Sequence, residues 1–152
     1  MEDTAEYWDE RYRQGHTMPD EPADLLLENS SLLPKGGKAL DVAMGSGRNA
    51  LYLASRGFQV TGIDLSAVAV EKCRQKAERL GLPIEALVAD LEHFSLLSEE
   101  YDLIVNFYYF QRSLTPQIVS ALKPDGVLVF ESFTVDQLQF GWGPKTADHL
   151  LR

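Results

Sequence analysis

The run Leu40-Asp41-Val42-Ala43-Met44-Gly45-Ser46-Gly47-Arg48-Asn49-Ala50 constrains the fold more than any other part of the chain. An apolar stretch breaks at two glycines and resumes with a helical pattern. That order reads as a buried strand, a tight turn and a helix whose N-terminus faces the turn. Backbone N–H groups at such a turn can approach a nucleotide-like ligand closely. Gly45-x-Gly47-x-x-Ala50 is weak evidence alone. Asp64 strengthens it, seventeen residues after Gly47 at the end of the next apolar strand. A carboxylate there suits ribose hydroxyls, so an adenosine-containing cofactor is expected.

The pattern on either side extends the reading. Residues 4–13 look helical, with Trp8 and Tyr12 one turn apart on one face. A loop from Gly15 to Pro22 leads to a second short helix over 23–32, stopped before Pro34. From there strands alternate with helices. Strands are expected at 39–44, 58–65, 84–89, 101–107 and 127–133. Helices are expected at 48–56, closed by Gly57, and at 67–80, capped by Ser66 and ended by Gly81 and Pro83. The inward stripe of the second is Val70, Cys73, Ala77 and Leu80. Pro116 fits the first turn of a third helix that ends near Lys123, and Pro124-Asp125-Gly126 reads as a turn. This alternation predicts an α/β fold, a doubly wound Rossmann-like parallel sheet in the order 3-2-1-4-5. Ligands in such sheets bind beyond the carboxyl ends of the strands, where the strand order reverses.

Charge and cysteine usage narrow the partners. The 152 residues suffice for one domain, and the net charge is −9. Nucleic-acid backbones and anionic membranes require clustered Lys and Arg, so neither is an expected partner. No apolar run approaches a membrane span, and the acidic N-terminus lacks a signal-peptide pattern. The single cysteine, Cys73, excludes an intrachain disulfide and makes cytoplasm the default compartment. As part of a helical apolar stripe it reads as inert core. His16, His93 and His149 show no metal-ligand spacing, so no metal is expected.

Taken together, the motifs resemble the class I S-adenosylmethionine-dependent methyltransferases over roughly residues 5–135. The branch most similar is that of small-molecule enzymes grouped with tellurite-resistance and thiopurine methyltransferases. The resemblance rests on residues 40–54, on Tyr7-Trp8-Asp9-Glu10-Arg11-Tyr12 and on Leu122-Lys123-Pro124-Asp125-Gly126. It implies S-adenosylmethionine as cofactor, S-adenosylhomocysteine as product and a small-molecule acceptor. By the same resemblance Asp41 orients the glycine loop or reaches the cofactor's amino group through water. Ala43, Gly45 and Gly47 form the turn under the methionine moiety and sugar, with Ala43 replacing a glycine of the general pattern. Asp64 holds the ribose, and Leu65 lies against the adenine. Asp90 accepts from the adenine amino group, while Leu91 offers its N–H to the ring. Asn106 and Phe107 lie below the sulfonium. Trp8 and Tyr12 belong to a lid spanning residues 1–35, over a cofactor-binding core at 36–134.

Several residues carry two readings. Arg48 and Asn49 are either cofactor contacts or ordinary first-turn helix residues. Asp64 and Asp90 also suit turn or cap positions. Trp8 and Tyr12 also suit core packing, and so does Tyr108, the candidate acceptor contact after strand four. Asn106-Phe107-Tyr108-Tyr109 resembles the Asn-Pro-Pro-Tyr loop of enzymes that methylate nucleic-acid amino groups, but both prolines are missing. No catalytic base is evident. The sulfonium already activates the methyl group, so alignment of the acceptor is the protein's main task. Two rival functions fit the glycine loop: a nicotinamide-dependent oxidoreductase domain, or a non-catalytic cofactor-binding or interaction module derived from a methyltransferase. Family members usually continue past strand five with a helix and an antiparallel strand pair. Residues 135–152 are too few for that pair. The expectation is a shortened domain with an exposed strand-five edge, which invites a homodimer.

Overall fold

The computed structural model describes residues 4–15 and 20–132. Five strands, β1 (Gly37–Val42), β2 (Phe58–Asp64), β3 (Ile84–Val88), β4 (Tyr101–Phe107) and β5 (Leu122–Glu131), form one sheet. Its order is β3-β2-β1-β4-β5, and every neighbouring pair is parallel. The order reverses between β1 and β4, where Val42 lies opposite Asn106. The α/β class and the doubly wound strand order are therefore as the alternation predicts.

Helices α1 (Ala5–Arg13), α2 (Asp24–Glu28), α3 (Arg48–Ser55), α4 (Ala67–Leu80) and α5 (Thr115–Ala121) complete the layers. One core places Leu26, Leu53, Val70 and Cys73 against Ala39, Leu103 and Val105. The other places Leu114, Ile118 and Ala121 against Leu40, Val42 and Ile104. Alternate residues of β1 and β4 thus feed opposite faces, as strand geometry requires. Burial on both faces explains why β4 reads as a nearly unbroken apolar run.

Local chemistry sets the ends of α4. The Ser66 hydroxyl accepts from the Ala69 amide at 3.1 Å. Gly81 sits at φ 68°, and the Leu82 amide returns to the Ala77 carbonyl at 2.9 Å. Other boundaries differ from expectation. The helix expected over 23–32 is only α2, followed by a 3-10 turn at Ser30–Leu32. The stripe of α4 comprises Ala69, Val70, Cys73 and Ala77, whereas Leu80 is 60% exposed. Leu80 is the last helical residue and projects past the core. α5 stops at Ala121, and the expected turn at 124–126 lies inside β5. A register shift between Tyr101 and Leu103 and a left-handed Asp125, at φ 66°, absorb that turn into the strand.

β5 is the last strand of the sheet among the described residues. The segment 133–152, including the end of the expected fifth strand, lies outside them, so the edge expectation and the dimer have no structural readout here. Among the described residues no helix is long and apolar enough to cross a membrane.

Candidate functional site

The glycine loop occupies the reversal point of the sheet. Ala43, Gly45 and Gly47 all take positive φ, at 56°, 60° and 94°. Two glycines are required here for separate reasons. A Cβ on Gly45 would stand 2.7 Å from the Tyr12 hydroxyl, and one on Gly47 would stand 2.4 Å from the Cys73 sulfur. Ala43 holds the left-handed conformation without glycine's freedom, which costs about 1 kcal/mol.

Asp64 ends β2 beside this loop. Its Oδ2 accepts from the Gly45 amide at 2.8 Å, and its Oδ1 accepts from the Ser66 amide at 2.9 Å. One bond on each oxygen leaves further lone pairs for a ligand. Burial pushes its carboxyl above the ordinary range, and the bonds to Ser66 and Gly45 work against that push. Asp64 is thus a loop-bracing residue and an available acceptor at once.

Asp41 lies deeper. It is 2% exposed, and its Oδ2 has no hydrogen-bond partner among the described residues. Burial, reinforced by the charge of Asp64, pushes its carboxyl up to about 8. The backbone of Ala50 and the charge of Arg48 oppose the shift. Asn106 is also 2% exposed, with an unpartnered Oδ1. Two buried acceptors left open at one sheet edge are costly features, of the kind that marks ligand sites.

α1 covers the loop. Tyr12 is 5% exposed and stands over Gly45, while Trp8 lies 6.5 Å from it, centroid to centroid. Burial, and then the charge of Asp64, raise the Tyr12 phenol. The helix is tied down at two points. Asp9 Oδ1 accepts from the Ser66 hydroxyl at 2.6 Å and from the Val68 amide at 3.2 Å. Lys72 Nζ donates to the Tyr12 carbonyl at 2.6 Å. Asp9 and Ser66 were not among the candidates. Their sequence signals are the place of Asp9 in the segment Tyr7-Trp8-Asp9-Glu10-Arg11-Tyr12 and the cap role of Ser66.

The remaining candidates divide. Leu65 is half-buried, and Leu91 is buried at 5% exposure. Asp90 is exposed, and its Oδ1 accepts from the Glu92 amide at 2.9 Å, a turn role compatible with the second of its two readings. With Glu92 and His93 it forms an exposed group whose ligand atoms lie within 4.8 Å, a proximity the histidine spacing did not suggest. The Asn49 carbonyl accepts from the Ala23 amide at 2.8 Å, so that oxygen joins α3 to the N-terminal segment. Arg48 is half-buried and lines a cavity of about 370 Å³ with Tyr52, Lys76 and Arg79, on the outer side of α3 and α4. That cavity does not include the other predicted contacts. Phe107 is core. Tyr108 is 40% exposed at φ 63°, and its hydroxyl donates to Glu131. Cys73 is fully buried, and burial pushes its thiol up to about 11, as inert core requires.

Comparison with known proteins turns this geometry into a family. The description "Methyltransferase domain" matches residues 39–126, more than half of the chain. The chain belongs to this methyltransferase family. That match selects the methyltransferase reading of the glycine loop over the nicotinamide one. A ribosomal RNA small subunit methyltransferase C from Alcanivorax borkumensis is 34% identical over 125 residues, 74% of this chain and 38% of that protein. A structure described as the conversion of a disulfide bond into a thioacetal group during echinomycin biosynthesis superposes with a TM-score of 0.75. It is 25% identical and covers 97% of this chain and 72% of that one. Coclaurine N-methyltransferase, bound to N-methylheliamine and S-adenosylhomocysteine, superposes with a TM-score of 0.65 at 22% identity. The overlap is 78% of this chain and 38% of that one. The cofactor of the family is S-adenosylmethionine. The chain spans less than half the length of the first curated relatives it matches.

Proposed function

We propose that this chain transfers a methyl group from S-adenosylmethionine to a small-molecule acceptor. The observation that carries the cofactor half is the pair formed by Asp64 and the Gly45 amide, at 2.8 Å, at the point where the strand order reverses. In this reading Asp64 binds the ribose hydroxyls and the loop 43–47 underlies the methionine moiety. The Oδ2 of Asp41, ionised when the cofactor's ammonium approaches, accepts from that group, directly or through water. Leu65 and Leu91 flank the adenine, with Asp90 at its rim. Asn106 lies on the floor beneath the methyl group, and Trp8, Tyr12 and Tyr108 border the acceptor.

The small acceptor is supported by charge. The net charge is −9, which opposes broad phosphate binding. Lys72 is held by the Tyr12 carbonyl and Lys76 by Asp20 at 3.2 Å, while Arg48, Lys76 and Arg79 line one cavity outside α3 and α4, a local basic group that the competing acceptor could use. The relationship to an RNA methyltransferase favours the competing acceptor, RNA. Within the small-molecule reading, residues 40–54 and the segment Tyr7-Trp8-Asp9-Glu10-Arg11-Tyr12 favour the tellurite-resistance and thiopurine-like branch.

Calorimetric titration with S-adenosylhomocysteine tests the cofactor half. The parent is expected to bind, and Asp64→Ala to bind at least about 10-fold more weakly, or about 1.4 kcal/mol. Absence of binding by folded parent protein would reject it. Radiolabelled methyl offered to a panel of phenols, amines and thiols, and to RNA, tests the acceptor half. Label appearing only in RNA would overturn the small-molecule assignment.

A further inference from the structure

We infer that Asp9 is a positioning residue for the cofactor: from the lid helix it sets Ser66, and through Ser66 it aligns the ribose-binding carboxylate of Asp64. The inference rests on the cofactor reading above and adds to it a residue that lies outside the loop and strands.

A closed series of contacts carries it. The Ser66 hydroxyl accepts from Ala69 and donates to Asp9 Oδ1, so Asp9 decides where its single proton points. Ser66 is fully buried, and no water replaces that acceptor without cost. The amide of the same serine donates to Asp64 Oδ1, and Asp64 Oδ2 accepts from Gly45. Above Gly45 stands the Tyr12 hydroxyl, one helical turn from Asp9 on the same side of α1. The series therefore returns to the helix where it began. Placing a carboxylate at the N-terminus of the fourteen-residue α4 suits the partial positive charge there. The Asp9 carboxyl lies below its ordinary range. Burial raises it, but the Ser66 hydroxyl and the Val68 amide outweigh that and hold it ionised. Lys72, on the Tyr12 carbonyl, secures the other end of the helix. Lid docking and carboxylate alignment are thus one arrangement, not two.

The test is a double-mutant cycle read by S-adenosylhomocysteine calorimetry on the full 152-residue chain. Asp9→Ala is expected to weaken binding about 5-fold and to lower the thermal midpoint, whereas Asp9→Asn, which keeps the same oxygen acceptor, is expected to bind within about 2-fold of the parent. Asp9→Ala combined with Asp64→Ala is expected to lose little beyond Asp64→Ala alone, because both act on one carboxylate. Should Asp9→Ala fail to fold, Asp9→Glu retains the charge but displaces it by one methylene, and a similar loss is expected. The proposal is overturned if the alanine or glutamate variant binds like the parent, or if the two losses multiply. A parent that binds, with Asp64→Ala unaffected, would instead remove the ribose role of Asp64, and this inference with it.

Discussion

The glycine-loop side of the site and the strand floor beneath it treat their polar groups in opposite ways. On the loop side both oxygens of Asp64 accept from backbone amides, and the Ser66 hydroxyl has an acceptor and a donor. On the floor, Asp41 Oδ2 and Asn106 Oδ1 are buried and unpartnered among the described residues. The first arrangement is self-sufficient and holds its shape without ligand. The second carries an energetic cost that a ligand's polar groups can relieve. A pre-built wall facing an unsatisfied floor suits a cofactor that must be held in one orientation.

The largest expected effect tests how rigid the loop side is. Gly47→Ala forces a side chain into the left-handed region and places its Cβ 2.4 Å from the buried sulfur of Cys73. We expect a loss of about 2–4 kcal/mol in urea unfolding, from backbone strain plus overpacking. Gly57→Ala is the matched control. Its φ is 95°, nearly the same, but nothing lies within 4 Å of the added Cβ. It should cost only about 1 kcal/mol. Equal losses in the two variants would mean that the loop side yields easily, and the contrast with the floor would collapse.

Next in size is a pH effect on the floor. The Asp41 carboxyl titrates at about 8 when folded and near 3.8 when unfolded. Between those values the folded chain keeps a proton that the unfolded chain has lost. Its contribution to stability is therefore fully present below about pH 3.8, declines as pH rises and levels off above about pH 8. Asp41→Asn has the shape of the protonated acid and lacks this slope. Thermal midpoints from pH 5 to 9 should show the variant gaining on the parent by several degrees as pH rises. S-adenosylhomocysteine binding should weaken in the same variant, since an amide nitrogen can replace the open acceptor oxygen. Parallel pH curves would mean that Asp41 is charged and paired when folded, and the floor would then be as self-sufficient as the loop.

The two sides also differ in how much of them could be read from the residues. The strand order follows from alternation and handedness alone. The ends of α4 follow from Ser66 and Gly81, because caps act over three or four residues. The loop and Asp64 were visible for the same reason: glycine spacing and a strand-terminal carboxylate are local signals. What escaped was tertiary. Asp9 meets Ser66 across 57 residues, and Asn49 meets Ala23 across 26, and neither bond leaves a periodic trace. Leu80 fits the stripe of α4 by spacing, yet it lies at the helix end beyond the core. Pro124-Asp125-Gly126 has turn chemistry and bulges out of the pairing with β4, whose register jumps from Leu122 to Val127, so the turn falls within β5 rather than before it. The open oxygens of Asp41 and Asn106 are also tertiary facts, since only packing decides which buried acceptors lack a donor.

The smallest expected effect concerns the one left-handed position of the loop that is not glycine. Ala43 sits at φ 56° and packs half-buried against the core that includes Leu40 and Ile104. Ala43→Gly removes about 1 kcal/mol of left-handed strain. It also loosens the unfolded chain, which costs about 0.4–1 kcal/mol, and exposes the space of one methyl. These terms nearly cancel, so urea unfolding should move by no more than about 0.5 kcal/mol. Affinity for S-adenosylhomocysteine should stay within about 2-fold, because the Gly45 amide keeps its bond to Asp64. A destabilisation above about 1 kcal/mol would show that the Ala43 methyl is a packing element. The loop would then take part of its rigidity from the core beneath it, and the boundary between the self-sufficient wall and the open floor would run through Ala43 rather than below it.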